Sequence, residues 1–304
     1  MVKILKLYDF RNCELPDVLF QIKVKQKKID EKIFKAAEHF LTIEDCDDEI
    51  KTGDIVALKI DSDDSFVQSE CERLSVGKGF FSEEVEKELI GKKQGDTFNA
   101  CLNDSKAEIT VLWVKRRMVP ELTDEMAAKM DVEDVTTREE YVDYVTAELE
   151  SEEKEKKQNA IWLMVSKKLL EESEFEVDEK EIEEQFKKDT AYLKDQLEDD
   201  FEEFMRVKYH GKTLAESEQN YKKDIEKTFK LCAIASPMAE EDGVEFTKEQ
   251  YDAVIDDMVS EDYSKEELEA SMSYEDYVKQ QLEEYLKAKI FEYFDDRFTT
   301  TIVD

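Results

Sequence analysis

Apolar residues along this chain follow two different rhythms. Between residues 51 and 118 they come in short β-branched bursts, as in 54–60 (DIVALKI) and 108–114 (EITVLWV). Such runs are too short for helices and suit a pleated, half-buried surface. Between them, 82–90 (SEEVEKELI) reads as one short helix that stops at Gly91. Gly53, Gly77, Gly79, Gly91 and Gly95 all fall in this stretch, where glycine marks turns between strands. The prediction is a small antiparallel β domain with one short helix over 51–118.

After Pro120 the rhythm becomes helical. Five helix starts are predicted where a short polar side chain stands three residues before a carboxylate or amide: Thr137 with Glu140, Asp178 with Glu181, Thr213 with Glu216, Thr247 with Gln250, and Ser264 with Glu267. That spacing lets the two residues satisfy the unpaired N–H groups of a first turn. Apolar residues then recur at helical intervals, as at Ile161, Met164, Val165 and Leu169, and at Leu282, Tyr285, Leu286, Phe291, Phe294 and Phe298. The stretch LLEESEFEVDEKEIEEQF from Leu169 is echoed by MAEEDGVEFTKEQYDAVI from Met238. Both read as helix, acidic turn, Val/Phe pair, cap and helix. Residues 119–304 are therefore predicted to be mostly α-helical, which makes the fold class α+β. Residues 1–50 read as a connector, with an edge strand at 19–24 (LFQIKV) and an amphipathic helix at 30–41.

Charge sharpens the division. Residues 1–118 carry a net charge of −4 and residues 119–304 a net charge of −31. A surface this acidic argues against nucleic acid, whose phosphates require basic partners, and against anionic membrane surfaces. Five scattered cysteines with no C-x-x-C exclude a disulfide framework and a zinc spacing. No apolar run is long enough for a signal peptide or a membrane span, so the expected compartment is the cytoplasm.

Candidate chemistry is sparse. His39 and His210 are isolated and read as structural or surface residues. The run Asp61-Ser62-Asp63-Asp64-Ser65 lacks the glycine and closing glutamate of a calcium loop and reads as a hairpin turn. Gly77-x-Gly79 lacks the third glycine and the acidic residue of a dinucleotide site. No cofactor and no metal are expected.

Three stretches carry a resemblance: Gly53-Asp54-Ile55-Val56, then Leu74-x-Val76-Gly77-Lys78-Gly79-Phe80-Phe81, then Leu89-Ile90-Gly91-Lys92-Lys93-Gln94-Gly95-Asp96. Together they resemble an FKBP-type prolyl isomerase domain. The junction Val119-Pro120-Glu121-Leu122-Thr123-Asp124-Glu125 resembles the point where trigger factors pass from that domain into a helical, two-armed substrate-binding domain. Leu15-Pro16-Asp17 and the 30–41 helix look like the family's preceding connector. The family's ribosome-docking loop, G-F-R-x-G-x-x-P, does not occur in the sequence, so ribosome docking by that route is not expected.

The resemblance also implies a depleted isomerase pocket. Ile60 stands where the family has a tyrosine, and Phe66 keeps the next aromatic. Phe81 and Ser82 replace an aliphatic pair, Val85 replaces the floor aromatic, and Ala107 replaces a late-strand phenylalanine. In the helical part, Met164, Met205, Met238, Met258 and Met272 are the candidate peptide-binding residues, because flexible thioethers suit promiscuous apolar contact. Taken singly, each reads more readily as a core residue. The implied function is an ATP-independent holdase for unfolded or nascent polypeptides; the charge step at residue 118, independently of the resemblance, predicts that basic or neutral clients are favoured over acidic ones. Two alternatives stay open: an active peptidyl-prolyl cis-trans isomerase, and an adaptor that uses the same helices for one partner, a second copy of the chain among the candidates.

Overall fold

The computed structural model describes residues 2–79, 83–102, 105–260 and 263–304. In chain order its strands are β1 (Lys3–Lys6), β2 (Gln21–Lys25), β3 (Thr42–Asp45), β4 (Ile55–Ser62), β5 (Ser69–Ser75), β6 (Thr97–Leu102), β7 (Ser105–Met118), β8 (Glu174–Glu176) and β9 (Thr299–Val303). Its helices are α1 (Gln26–Ala37), α2 (Glu83–Leu89), α3 (Asp124–Ala127), α4 (Arg138–Glu172) and α5 (Glu179–Leu197). They continue with α6 (Phe201–Lys208), α7 (Leu214–Glu241), α8 (Lys248–Met258), α9 (Lys265–Ser271) and α10 (Tyr274–Phe294). Two compact units result. One comprises residues 1–23 and 151–301, the other 24–150 and 302–304.

The second unit is built on an antiparallel sheet in the order β3-β7-β4-β5, with β6 also paired to β7. β7 is long enough to pair with three strands, β4 along most of its length, β6 along Ser105–Thr110 and β3 along Lys115–Met118. Inward residues of β4 and β7, among them Val56, Leu58, Ile60, Ile109, Val111 and Val114, form the core, and α2 closes it with Val85 and Leu89. The Gly77-x-Gly79 turn is held by the buried Glu86 carboxylate, which accepts from the Gly77 amide at 2.7 Å and the Gly79 amide at 3.3 Å. Gly77 has φ +82°, where a side chain is strained, and a Cβ there would stand 2.5 Å from Thr52 Cγ2. At the sheet's other end, buried Asp54 accepts from Arg116 Nε at 2.9 Å and a terminal guanidinium nitrogen at 2.7 Å. The Asp-rich run ends β4 with Asp61 and Ser62 and enters the β4–β5 turn at Asp63, where Asp64 Oδ1 accepts from the Phe66 amide at 3.0 Å.

The first unit is helical. Helix α4 supplies Ile161, Trp162, Val165 and Leu169, α7 supplies Leu231, Ile234 and Ala235, and α10 supplies Leu286, Ile290 and Phe294. Phe10, Cys13, Leu15 and Phe20 complete this core, so the stretch before residue 23 packs as part of the helical unit. All five helix starts expected from sequence are in place. Thr137 Oγ1 accepts from the Glu140 amide at 3.2 Å while the Glu140 carboxylate accepts from the Thr137 amide at 2.9 Å. Asp178 caps α5 through the Lys180 amide, Thr213 caps α7 through Glu216, and α8 and α9 carry full reciprocal boxes. The repeat is structural as well. Ile182 and Phe186 of α5 pack with Ile225, and the residues at matching positions of α8, Tyr251 and Ile255, pack with Leu268 and Tyr277.

Candidate functional site

In the helical unit, α5, α7 and α10 face one another across a cleft of about 820 Å³. Its apolar wall comes from Phe229, Cys232, Ala233 and Pro237 of α7, Leu282 of α10, and Val2 and Ile4 at β1. Pro237 lies inside α7. It has no N–H, so the Ala233 carbonyl four residues earlier lacks its usual intrahelical donor. Glu181, Glu184, Glu240 and Glu275 stand around the cleft with Lys188 and Lys279.

Both lysines are tied down. Lys279 Nζ donates to Gln185 Oε1 at 2.8 Å and Asp276 Oδ1 at 3.3 Å, and it pairs with Glu275 at 3.2 Å. Lys188 Nζ donates to Ser273 Oγ at 3.1 Å and Asp276 Oδ2 at 3.2 Å. Burial alone would raise the Asp276 carboxyl, but its hydrogen bonds to Ser273 and Lys188 and the nearby lysine charges hold it below the usual carboxylate range. This polar bar links α5 to α10. A second hollow of about 280 Å³ shares Gln185, Phe229 and Lys279 with the first. There the Tyr221 hydroxyl donates to Asp189 Oδ2 at 2.6 Å, and the Tyr221 ring stacks on Tyr209 with centroids 4.3 Å apart. Cys232 is pushed up to about 11 by burial and by the Glu283 charge, against the opposing charge of Lys279. The thiol is therefore protonated at neutral pH, and the wall it forms is neutral.

The methionines expected to bind peptide scatter. Met205 is wholly buried in α6. Met238 packs against the main core and Met272 against the Tyr251 cluster. Met164 and Met258 are 39% and 49% exposed. None of the five lines the main cleft. Its walls include Phe229, Cys232 and Ala233, which no motif singles out, together with Leu282. The available signal was the apolar line along α7 and α10, of which only Leu282 was read from the sequence.

In the sheet unit, Ile60 and Val85 are buried in the core, as is Ala107. Phe66 points to solvent and is 97% exposed. Phe81 and Ser82 lie outside the described residues. The helical unit thus carries the cleft, while the expected isomerase positions Ile60, Val85 and Ala107 belong to the core of the sheet unit.

Known proteins supply the family. A family model of the bacterial trigger factor C-terminus matches residues 137–294, and the chain belongs to that family. Trigger factor of Streptococcus mutans is 24% identical over a 276-residue alignment that covers 84% of this chain and 64% of the relative. The chain thus spans under two thirds of that relative's length. A solved structure described under promiscuous substrate recognition by the trigger factor chaperone in folding and assembly is 19% identical, with a TM-score of 0.49. It covers 96% of this chain and 73% of that one. No described helix is long and apolar enough to cross a membrane.

Proposed function

We propose that the chain is a cytoplasmic, ATP-independent chaperone that holds unfolded or nascent polypeptide segments in the cleft between α5, α7 and α10. The observation that carries the reading is an open, largely apolar concavity of about 820 Å³, large enough for several side chains of an extended segment. Glu181, Glu184, Glu240 and Glu275 at the cleft, together with the net −31 of residues 119–304, favour basic or neutral clients over acidic ones.

The sheet unit is proposed to be an FKBP-like domain without catalytic power. Twisting an X-Pro bond means lowering a barrier of about 18–20 kcal/mol inside a water-poor aromatic pocket. Supporting the reading, Ile60 and Val85 are consumed by the core and Phe66 is turned away from it. Two assays test the proposal. Aggregation of several unrelated unfolded clients is expected to fall in proportion to added chain, whereas protection of one client alone would favour an adaptor. Proline-limited refolding is expected to run at the uncatalysed rate, and catalysis that survives loss of 119–304 would establish an isomerase.

A further inference from the structure

β8 is a three-residue strand between α4 and α5, and its partner among the described residues is β1. The pairing is antiparallel, with Lys3 opposite Glu176, Ile4 opposite Phe175 and Lys6 opposite Glu174, and an irregularity between Ile4 and Lys6. Val2 and Ile4 line the main cleft, while Lys3 and Lys6 reach Glu176 and Glu174 at 4.0 Å each.

The sequence V-K-I-L-K therefore lies on the cleft as an extended segment would. Alternate apolar side chains line its wall, backbone pairs with β8, and lysines meet the acids of β8. Its attachment is uneven. From Tyr8 onward the segment is pinned, first by the Tyr8 amide on Ser173 Oγ at 2.9 Å and then by buried Phe10, Cys13 and Leu15. Before Tyr8 the hold is lighter, with half-buried Ile4 packed against the helical core beside its partner Phe175. Leu5 and Leu7 are exposed, and both ion pairs are solvent-facing, a class of contact that adds little stability. A two-stranded pair of this length is marginal by itself.

We propose that β8 and the adjoining cleft wall form a strand-acceptor site for one extended segment in which apolar residues alternate with lysine, and that β1 fills it until a client of that pattern displaces it. The inference rests on the reading of the cleft as the client site. It adds that β1 competes with clients, so apparent affinity is the intrinsic affinity reduced by the fraction of chains with β1 released.

The test locks and loosens the strap in the full chain. Facing residues of an antiparallel pair have Cα atoms about 4.5–5.5 Å apart, within disulfide reach. Lys3→Cys with Glu176→Cys is made alongside Cys71→Ser and Cys101→Ser, which removes the two exposed thiols and prevents mispairing. The probes are a fluorescent peptide of residues 2–7 and a permanently unfolded, carboxymethylated client. The oxidised lock is expected to bind both at least about tenfold more weakly than the same protein reduced, and Ile4→Asn in the natural background is expected to bind several-fold more tightly. Equal affinities of locked and reduced forms overturn the strap while leaving the cleft as client site. Failure of every form to bind either probe overturns both.

Discussion

Replacing Asp54 by asparagine tests the energetics of the sheet unit most sharply. The carboxylate accepts two hydrogen bonds from Arg116, at 2.9 and 2.7 Å, and one from the Lys51 amide at 2.8 Å. The same guanidinium also donates to the Glu49 carbonyl at 2.9 Å, so one side chain ties β7 to the start of β4 and the segment before it. Asparagine keeps an oxygen for Lys51 but turns an NH2 toward the guanidinium, donor against donor. Removing one partner of a buried ion pair costs about 3–5 kcal/mol. Arg116 keeps 20% of its side-chain surface in water, which places the expectation at the low end, about 3 kcal/mol. For a unit of this size that corresponds to a fall in Tm of roughly 10 °C.

The assay is urea unfolding followed by Trp113 fluorescence in a Trp162→Phe background, since these are the two tryptophans and they lie in different units. Arg116→Gln closes a double-mutant cycle. A loss below about 1 kcal/mol, or coupling below about 0.5 kcal/mol, would refute the reasoning. Burial pushes the Asp54 carboxyl up, but the Arg116 and Lys51 hydrogen bonds and charges outweigh it and hold the group below its ordinary value. A depressed folded value means that the unfolded chain binds more protons as pH falls through about 4. The stabilisation is therefore complete above that pH and lost below it, and Asp54→Asn is expected to flatten this acid dependence.

Other perturbations separate packing from exposure. Met205→Ala is expected to cost about 2–5 kcal/mol, and Met258→Ala to stay within about 0.5 kcal/mol, read by denaturant unfolding. Gly77→Ala combines positive φ with contact on Thr52 and is expected to cost about 2 kcal/mol or more, part of it recovered by Thr52→Ser, which removes the clashing methyl. Cys232, with its thiol near 11, holds on the order of one part in a thousand as thiolate at pH 8. Its alkylation is expected to accelerate about tenfold per pH unit up to that value and to slow when client is bound. A flat pH profile would show that burial does not govern the thiol.

Helix starts were the most legible part of the sequence, because a cap is a local bargain between residues three apart: Thr137, Asp178, Thr213, Thr247 and Ser264 all cap helices. The central strands β4 and β7 were equally plain, since both carry β-branched apolar runs. Edge elements were not. β5 (SECERLS) buries only Leu74, and a strand with one inward apolar residue has no readable alternation. The role of residues 1–23 escaped for a different reason. Phe10, Leu15 and Phe20 follow no period, and their core partners lie more than a hundred residues away on α4, α7 and α10. The cleft was illegible in the same way. Methionine content pointed to side chains by type, yet which face of a helix meets a hollow depends on how α5, α7 and α10 pack, and Met164 lies on the exposed side of α4 while Val165 and Leu169 are buried. The expected isomerase positions could be found by spacing, but only the packing puts Ile60 and Val85 in the core and leaves Phe66 in water.

The most direct measurement places a photoreactive phenylalanine analogue, one at a time, at Phe229, Leu282 and Phe66, and maps its crosslinks to a permanently unfolded client by mass spectrometry. Positions 229 and 282 line the cleft and are expected to capture the client, while the solvent-facing aromatic at 66 stays at background. Capture from position 66 with none from 229 or 282 would contradict the account and move the client to the sheet unit.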